Sequence, residues 1–318
     1  MPALRPHVPP PGVSNRWRSV LFVPGNRPDL AAKAPRSGPD LVVLDLEDAV
    51  PAAAKDAARA LVDESAAALA GTVPVAVRVN PPGTPWFSDD AAALPEGLAA
   101  VVVPKLDSRS AVEEMAGALT GRPVVAGIET VRGVADAREV LGGPVVACYF
   151  GAEDYVADLG GVRTESNDEV ASARAWVAMA ARLAGVAALD IVTLAFGDEE
   201  RFRREAAEAR ALGYVGKLCI HPAQVALANE AFRASDDEVD WARRVLAAFH
   251  GAGGMTIGFE GMMVDEVVAA RARAILQDAD SDRVDSDRVD SDRVDSDRVD
   301  SDRVDSDPAG VDGAGEHR

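Results

Sequence analysis

The chain has 318 residues, 48% of them hydrophobic, 27% charged and 5% aromatic, with 33 basic against 52 acidic side chains and a formal net charge of −19. That is a globular composition, long enough for two domains or one large α/β barrel. The acidic excess speaks against binding to nucleic acid or an anionic membrane.

No apolar run reaches the roughly 18 residues of a membrane helix, and the proline-rich start MPALRPHVPPPGV is not built like a secretory signal. Residues 1–16 read as a disordered leader, because Pro9, Pro10 and Pro11 forbid a helix. Eight short apolar runs follow: 19–25, 41–48, 73–80, 99–107, 124–130, 145–154, 189–196 and 216–222. Each is nearly continuous in Val, Leu, Ala and Ile, as expected of strands buried on both faces of a parallel sheet. Helical stretches separate them, among them 168–185 and 199–214. Eight strand-plus-helix units predict a (β/α)8 TIM barrel over 17–236. A doubly wound open sheet is the competitor, but no GxGxxG follows the first run. Residues 237–277 read as a C-terminal helical extension, made of 237–253 and then a glycine-containing turn leading into a second helix. Residues 278–318 read as a disordered acidic tail, since five copies of SDRVD at 281–305 have no period that buries a face. Cys148 and Cys219 lie in apolar runs and read as core thiols, which fits a reducing, cytoplasmic location.

In a (β/α)8 barrel the chemistry gathers at the C-terminal ends of the strands. Here those ends carry Asp45, Glu47 and Asp48 (second run), Arg78 and Asn80 (third), Lys105 and Asp107 (fourth), Glu129 (fifth), Glu153 and Asp154 (sixth) and His221 (eighth). A charge in an apolar strand is costly unless it is paired or bound to a metal. Several carboxylates without a Cys/His cluster favour a hard, oxygen-loving cation, Mg²⁺ or Mn²⁺. Arg78 and Lys105 are expected to hold an anionic substrate group, Arg78 through a two-bonded fork. Any single acid could instead cap the next helix, and His221 before a proline reads as structural.

The runs RSVLFVPGNRPDLAAKA, DLVVLDLEDAVPAAAKDAAR and VAVRVNPPGTPWFSDD, continued in order by VVVPKLDS, GIETVRGV, YFGAEDYVADLG, KLCIHPAQV and GMMVDEVVAARA, resemble the citrate lyase beta-subunit family. That family sits in the HpcH/HpaI aldolase group of the phosphoenolpyruvate/pyruvate barrel superfamily, and the resemblance covers roughly residues 17–277. It implies a Mg²⁺-dependent lyase of oxo-acid type, cleaving a 3-hydroxyacyl thioester (citramalyl, malyl or citryl, on CoA or on an acyl carrier) to a 2-oxo acid and an acyl thioester. A thioesterase on a malyl-type thioester stays open beside it, as does a role as citryl-carrier subunit of a larger lyase. By the same resemblance Glu129 and Asp154 are the metal ligands. Glu47 and Asp48 hold metal-bound water, and Arg78 grips the substrate. Asn26 and Arg27 lie in a first loop near the CoA portion. Asp265 is an acid inserted from a neighbouring subunit of a homo-oligomer, expected to be a trimer.

Overall fold

The computed structural model describes residues 17–280. The leader 1–16 and the SDRVD repeats 281–305 lie outside the described residues. Eight parallel strands close into a barrel in chain order: β1 Ser19–Pro24, β2 Leu41–Asp45, β3 Val75–Arg78, β4 Ala100–Val103, β5 Val124–Ile128, β6 Val145–Phe150, β7 Ala187–Asp190 and β8 Gly216–Cys219. The last pairing, Val20 beside Leu218, seals β1 to β8. The (β/α)8 barrel expected from the eight runs is therefore present, and the open sheet is excluded.

Alternation along each strand separates two cores. Val20, Val43, Ala76, Val102, Val125 and Leu218 fill the barrel interior. Residues one step away, such as Leu21, Val42, Val77, Val101 and Cys148, face the helices. Both faces are apolar, which is why the runs read as continuous hydrophobic stretches. Cys148 and Cys219 are free, buried, and pushed up to about 12 by desolvation, so they are inert core thiols.

One polar cluster lies on the outward side of β7 and β8. Lys217, wholly buried, donates from Nζ to Asp190 Oδ2 at 2.8 Å and stands 3.5 Å from Glu205 Oε2. Arg174, from the helix Ala171–Ala184, donates to both Asp190 oxygens at 2.7 and 2.9 Å. Glu205 also accepts from Thr193 Oγ1, Arg201 Nε and Asn167 Nδ2. This knot joins two strands to two helices through charges that satisfy one another.

Two elements differ from the sequence reading. β7 covers Ala187–Asp190, and residues 191–196 of the apolar run form a loop instead. Glu153 and Asp154 are not in a strand. β6 stops at Phe150 and both acids sit in the first turn of the helix Ala152–Leu159, where carboxylates suit the helix dipole.

The chain divides into two compact units, the first ending at Phe232 and the second starting at Arg233. The second contains the helix Asp236–Gly251, opened by a capping box of Ser235 and Glu238. It then forms an antiparallel hairpin, β9 Ile257–Phe259 and β10 Met262–Val264, and a helix over 266–280. The expected glycine-containing turn is thus the tip of a β-hairpin, with Glu260 and Gly261 both at positive φ. The last helix runs through 280, past the expected start of the tail at 278. Asp265 follows β10 and caps the helix by accepting from Val267 N–H (3.0 Å) and Val268 N–H (3.1 Å). Among the described residues no helix is long and apolar enough to cross a membrane.

Candidate active site

The C-terminal mouth of the barrel opens into a cavity of about 460 Å³, a size suited to a small molecule. Its lining is divided by strand. Asp45, Asp48, Arg78, Glu129, Tyr149 and Asp154, from β2 to the β6 loop, form a charged side. Phe22 and Pro24 of β1, Leu218 of β8, and Val192, Leu194 and Ile220 of the loops after β7 and β8 form an apolar side. The fold thus brings the predicted residues Arg78, Glu129 and Asp154 to one place, with Asp48 beside them.

The loop after β2 is fixed from below. Asp45 accepts from the backbone N–H of Glu47 (2.9 Å) and Ala49 (3.1 Å). Lys55, buried at the start of its helix, donates to the carbonyls of Leu46 (2.7 Å) and Glu47 (3.0 Å). Asn80 donates to the Leu46 carbonyl as well. Neither Lys55 nor Asn80 was assigned a part by the motif reading. Their signal was a polar side chain at a fixed interval from LEDAV, and it showed only once the loop was folded.

Arg78 corrects one expectation. The Nε–Nη2 edge of its fork is already bonded to Asp45, at 2.7 and 2.6 Å. Nη1, 3.2 Å from Glu47 Oε2 but out of line for a hydrogen bond, is the part left to meet a ligand. The guanidinium also stacks over Phe22, 5.0 Å from the ring centre. The reason is charge: a buried guanidinium next to a strand-end aspartate pairs with it before any substrate arrives. Arg78→Lys is expected to lower kcat/KM by roughly tenfold to a hundredfold, because a charge-assisted hydrogen bond is worth about 1.5–3 kcal/mol. Steady-state kinetics beside a melting curve checks this, and a lowered Tm with unchanged kinetics would leave Arg78 a purely structural residue.

Lys105 corrects another. Its ammonium does not point to open space but sits among four carboxylates: Glu47 Oε1 at 2.6 Å, Asp154 Oδ1 at 3.6 Å, and Glu129 Oε2 and Asp48 Oδ1 at 3.9 Å. To reach there its backbone adopts φ +52°, a left-handed conformation costing on the order of 1 kcal/mol for a non-glycine residue. Burial pulls its pKa down, but the Glu47 hydrogen bond and the other acids outweigh that and hold it raised. Glu47 is raised in turn, chiefly by desolvation. Glu129 is pushed up to about 7 by desolvation and then by repulsion from Glu47, with the Tyr149 hydroxyl, Arg78 and Lys105 acting against the rise.

These residues fit a divalent cation. Asp45, Glu47, Asp48, Glu129 and Asp154 are five acids against two bases, Arg78 and Lys105, so negative charge is in excess. Glu47 Oε2 and Glu129 Oε2 are buried acceptors without a hydrogen bond, which favours a cation or its water. The side chain of Glu129 lies in a gap where Gly151 has no Cβ; one there would stand 2.6 Å from Glu129 Cγ. Among the described residues no three His, Cys, Asp or Glu side chains converge as a closed metal cage. Two carboxylates completed by water and substrate is how Mg²⁺ is usually bound.

Other predicted residues lie apart. Pro24 lines the cavity, but Asn26 and Arg27 do not, and Arg27 pairs with Asp29 at 2.7 and 2.8 Å. Glu153 does line the cavity, but its carboxylate is taken by Arg163 at 2.8 Å. His221 is exposed, accepts from Ala223 N–H at Nδ1 (3.2 Å) and stacks on Phe196 with ring centres 4.8 Å apart. Asp265 belongs to the second unit.

A closed parallel barrel with acids at its C-terminal mouth and an apolar wall facing them is the architecture of a barrel enzyme acting on a small molecule. The HpcH/HpaI aldolase/citrate lyase family profile matches residues 18–222. A citrate lyase subunit beta-like protein of Deinococcus radiodurans is 53% identical over 272 residues, 81% of this chain and 96% of the relative. A (3S)-malyl-CoA thioesterase of Cereibacter sphaeroides is 33% identical over 273 residues, 83% of this chain and 95% of that enzyme. The solved structure of CitE from Mycobacterium tuberculosis, in complex with magnesium, acetoacetate and coenzyme A, is 38% identical with a TM-score of 0.72, covering 82% of this chain and 97% of that one. The chain belongs to the HpcH/HpaI aldolase/citrate lyase family, and it is an enzyme of the lyase class.

Proposed function

We propose that the chain is a Mg²⁺-dependent carbon–carbon lyase, with Mn²⁺ able to substitute, that cleaves a 3-hydroxyacyl thioester of the citramalyl, malyl or citryl type into a 2-oxo acid and an acyl thioester. The observation that carries this reading is the pair Glu129 and Asp154 beside a cationic point already marked by the Lys105 ammonium, opposite an apolar wall. Magnesium and coenzyme A in the related CitE structure support it.

Glu129 and Asp154 would hold the cation, with Glu47 and Asp48 hydrogen-bonded to its water. When bound, the cation supplies Lewis-acid stabilisation to the oxygen that becomes the keto group. Arg78 Nη1 pairs with the substrate carboxylate, anchored through Asp45 so that it does not follow the ligand. Leu194, Leu218 and Ile220 carry the aliphatic part of the acyl group and exclude water from the thioester fragment as the bond breaks. The first loop, with Asn26 and Arg27, faces the carrier end of the thioester. The proton that leaves the substrate hydroxyl as the carbon–carbon bond breaks passes to water held at Glu47 and Asp48, and Asp265 of a neighbouring copy in a trimer, protonated, gives one to the α-carbon of the acyl fragment.

Incubation with malyl-, citramalyl- and citryl-CoA tests the reaction. A 2-oxo acid plus acyl-CoA, lost with EDTA and restored by Mg²⁺, is the expected result. A free hydroxy acid plus CoA would establish the second reading, a thioesterase, which the Cereibacter sphaeroides relative favours. Turnover only of a carrier-bound citryl thioester would make the chain a citrate lyase subunit. Refolding inactive Asp265→Ala and Glu129→Ala chains together should recover activity; no recovery in proven mixed oligomers removes Asp265 from its role in a neighbour's site.

A further inference from the structure

Glu129 owes its position to two residues below it that no motif singles out. On the paired strands β5 and β6, Gly127 stands opposite Tyr149, both toward the barrel interior. A Cβ on Gly127 would lie 2.6 Å from Tyr149 Oη and 2.8 Å from Glu129 Oε1. The Glu129 side chain therefore crosses the space left by Gly151, turns down over Gly127 and brings Oε1 beside the Tyr149 hydroxyl. Its other oxygen, Oε2, stays on the pocket side, 3.9 Å from Lys105 Nζ.

Tyr149 is 2% exposed and lines the cavity from its floor. Its hydroxyl has no hydrogen bond of good geometry, which is rare for a buried phenol. A phenylalanine would fill the same volume without that penalty, so the hydroxyl needs a reason other than packing. Carboxylates that bind metals are themselves usually held by an outer partner, which fixes the oxygen that ligates.

We propose that Tyr149 is a positioning residue for Glu129: with Gly127 clearing the space, its hydroxyl, unpartnered in this structure, donates to Oε1 when a divalent cation is bound and so presents Oε2 to that cation. The proposal rests on Glu129 being a ligand of that cation. The same geometry makes Gly127 intolerant of any side chain, since an added methyl would press on both Tyr149 Oη and Glu129 Oε1 at once.

The test is a titration of the full chain with Mn²⁺, followed by the electron paramagnetic resonance of the free ion, together with a melting curve for each variant. Tyr149→Phe is expected to raise the Mn²⁺ Kd about tenfold to a hundredfold while leaving Tm unchanged or higher. Gly127→Ala should weaken Mn²⁺ in the same direction. Glu129→Gln should lose Mn²⁺ binding, and Tyr155→Phe, outside the barrel interior, should bind as the wild type does. A wild-type Kd in Tyr149→Phe, with binding lost in Glu129→Gln, overturns the positioning role and leaves the cation site standing. A wild-type Kd in Glu129→Gln overturns the ligand assignment, and the positioning role falls with it. A parallel fall of affinity and Tm in Tyr149→Phe would make the phenol a packing residue and overturn the proposal as well.

Discussion

Glu129→Gln should lower turnover by about a thousandfold or more and leave the fold intact. The cation that Glu129 and Asp154 are proposed to hold contributes several kcal/mol at the developing oxygen, and about 4 kcal/mol corresponds to three powers of ten. The substitution keeps the shape of the side chain and removes its charge. That charge is unfavourable to folding: burial and Glu47 push Glu129 up to about 7 from an ordinary 4.5. A carboxyl whose pKa is raised on folding contributes stability that is present below about 4.5 and is lost as pH rises through about 7. In EDTA, the glutamine variant should therefore melt with the wild type at low pH and above it at pH 8. Kinetics and melting curves on one preparation check both halves. Retained turnover would remove Glu129 from the chemistry, and a lower Tm at pH 8 would contradict the electrostatics.

The largest loss of stability is expected from Lys217→Met. Asp190 and Glu205 are almost fully buried and take charge from Lys217 at 2.8 and 3.5 Å. Removing one partner of a buried ion pair costs about 3–5 kcal/mol because the other charge stays behind, or roughly 6–20 °C in Tm for a domain of this size. Burial alone would raise Glu205, but Lys217, Thr193 and Arg201 outweigh it and hold the carboxyl at about 2. A depressed carboxylate adds stability above its unfolded value near 4.5, lost as pH falls toward 2. The Lys217→Met deficit should then be large at pH 7 and narrow at pH 3. Equal melting of variant and wild type at pH 7 would show that the knot contributes nothing.

Most of the barrel was legible because each strand is apolar on both faces, and eight such runs have few alternatives. The acids were legible because carboxylates at the ends of apolar runs have no other cheap place to be. What escaped depended on neighbours distant in sequence. LDIVTLAF looks like one strand, yet pairing stops at Leu189 on the β6 side and at Asp190 on the β8 side, and Leu194 and Phe196 of the same run are exposed beyond it. Nothing in GKLCIHP marks Lys217 for a role, which appears only once Arg174, Asp190 and Glu205 come around it from other elements. The claim of Asp45 on the Arg78 fork needed the register of β2 on β3, which aligns those two residues. Tyr149 was invisible because its place is defined by a side chain that Gly127 does not have.

The division of the mouth has a consequence for how such an enzyme can be altered. The charged side is drawn from β2 through the β6 loop, one unbroken stretch of chain from Asp45 to Asp154. The apolar side comes from β1 before it and, after it, from β8 and the loops that follow β7 and β8. On the proposed function, substitutions between Asp45 and Asp154 are expected to change whether the bond is broken, and substitutions toward either end of the barrel to change which acyl group is accepted. Substrate preference should then be alterable through the outer segments without disturbing the inner one, whose charges are paired with one another.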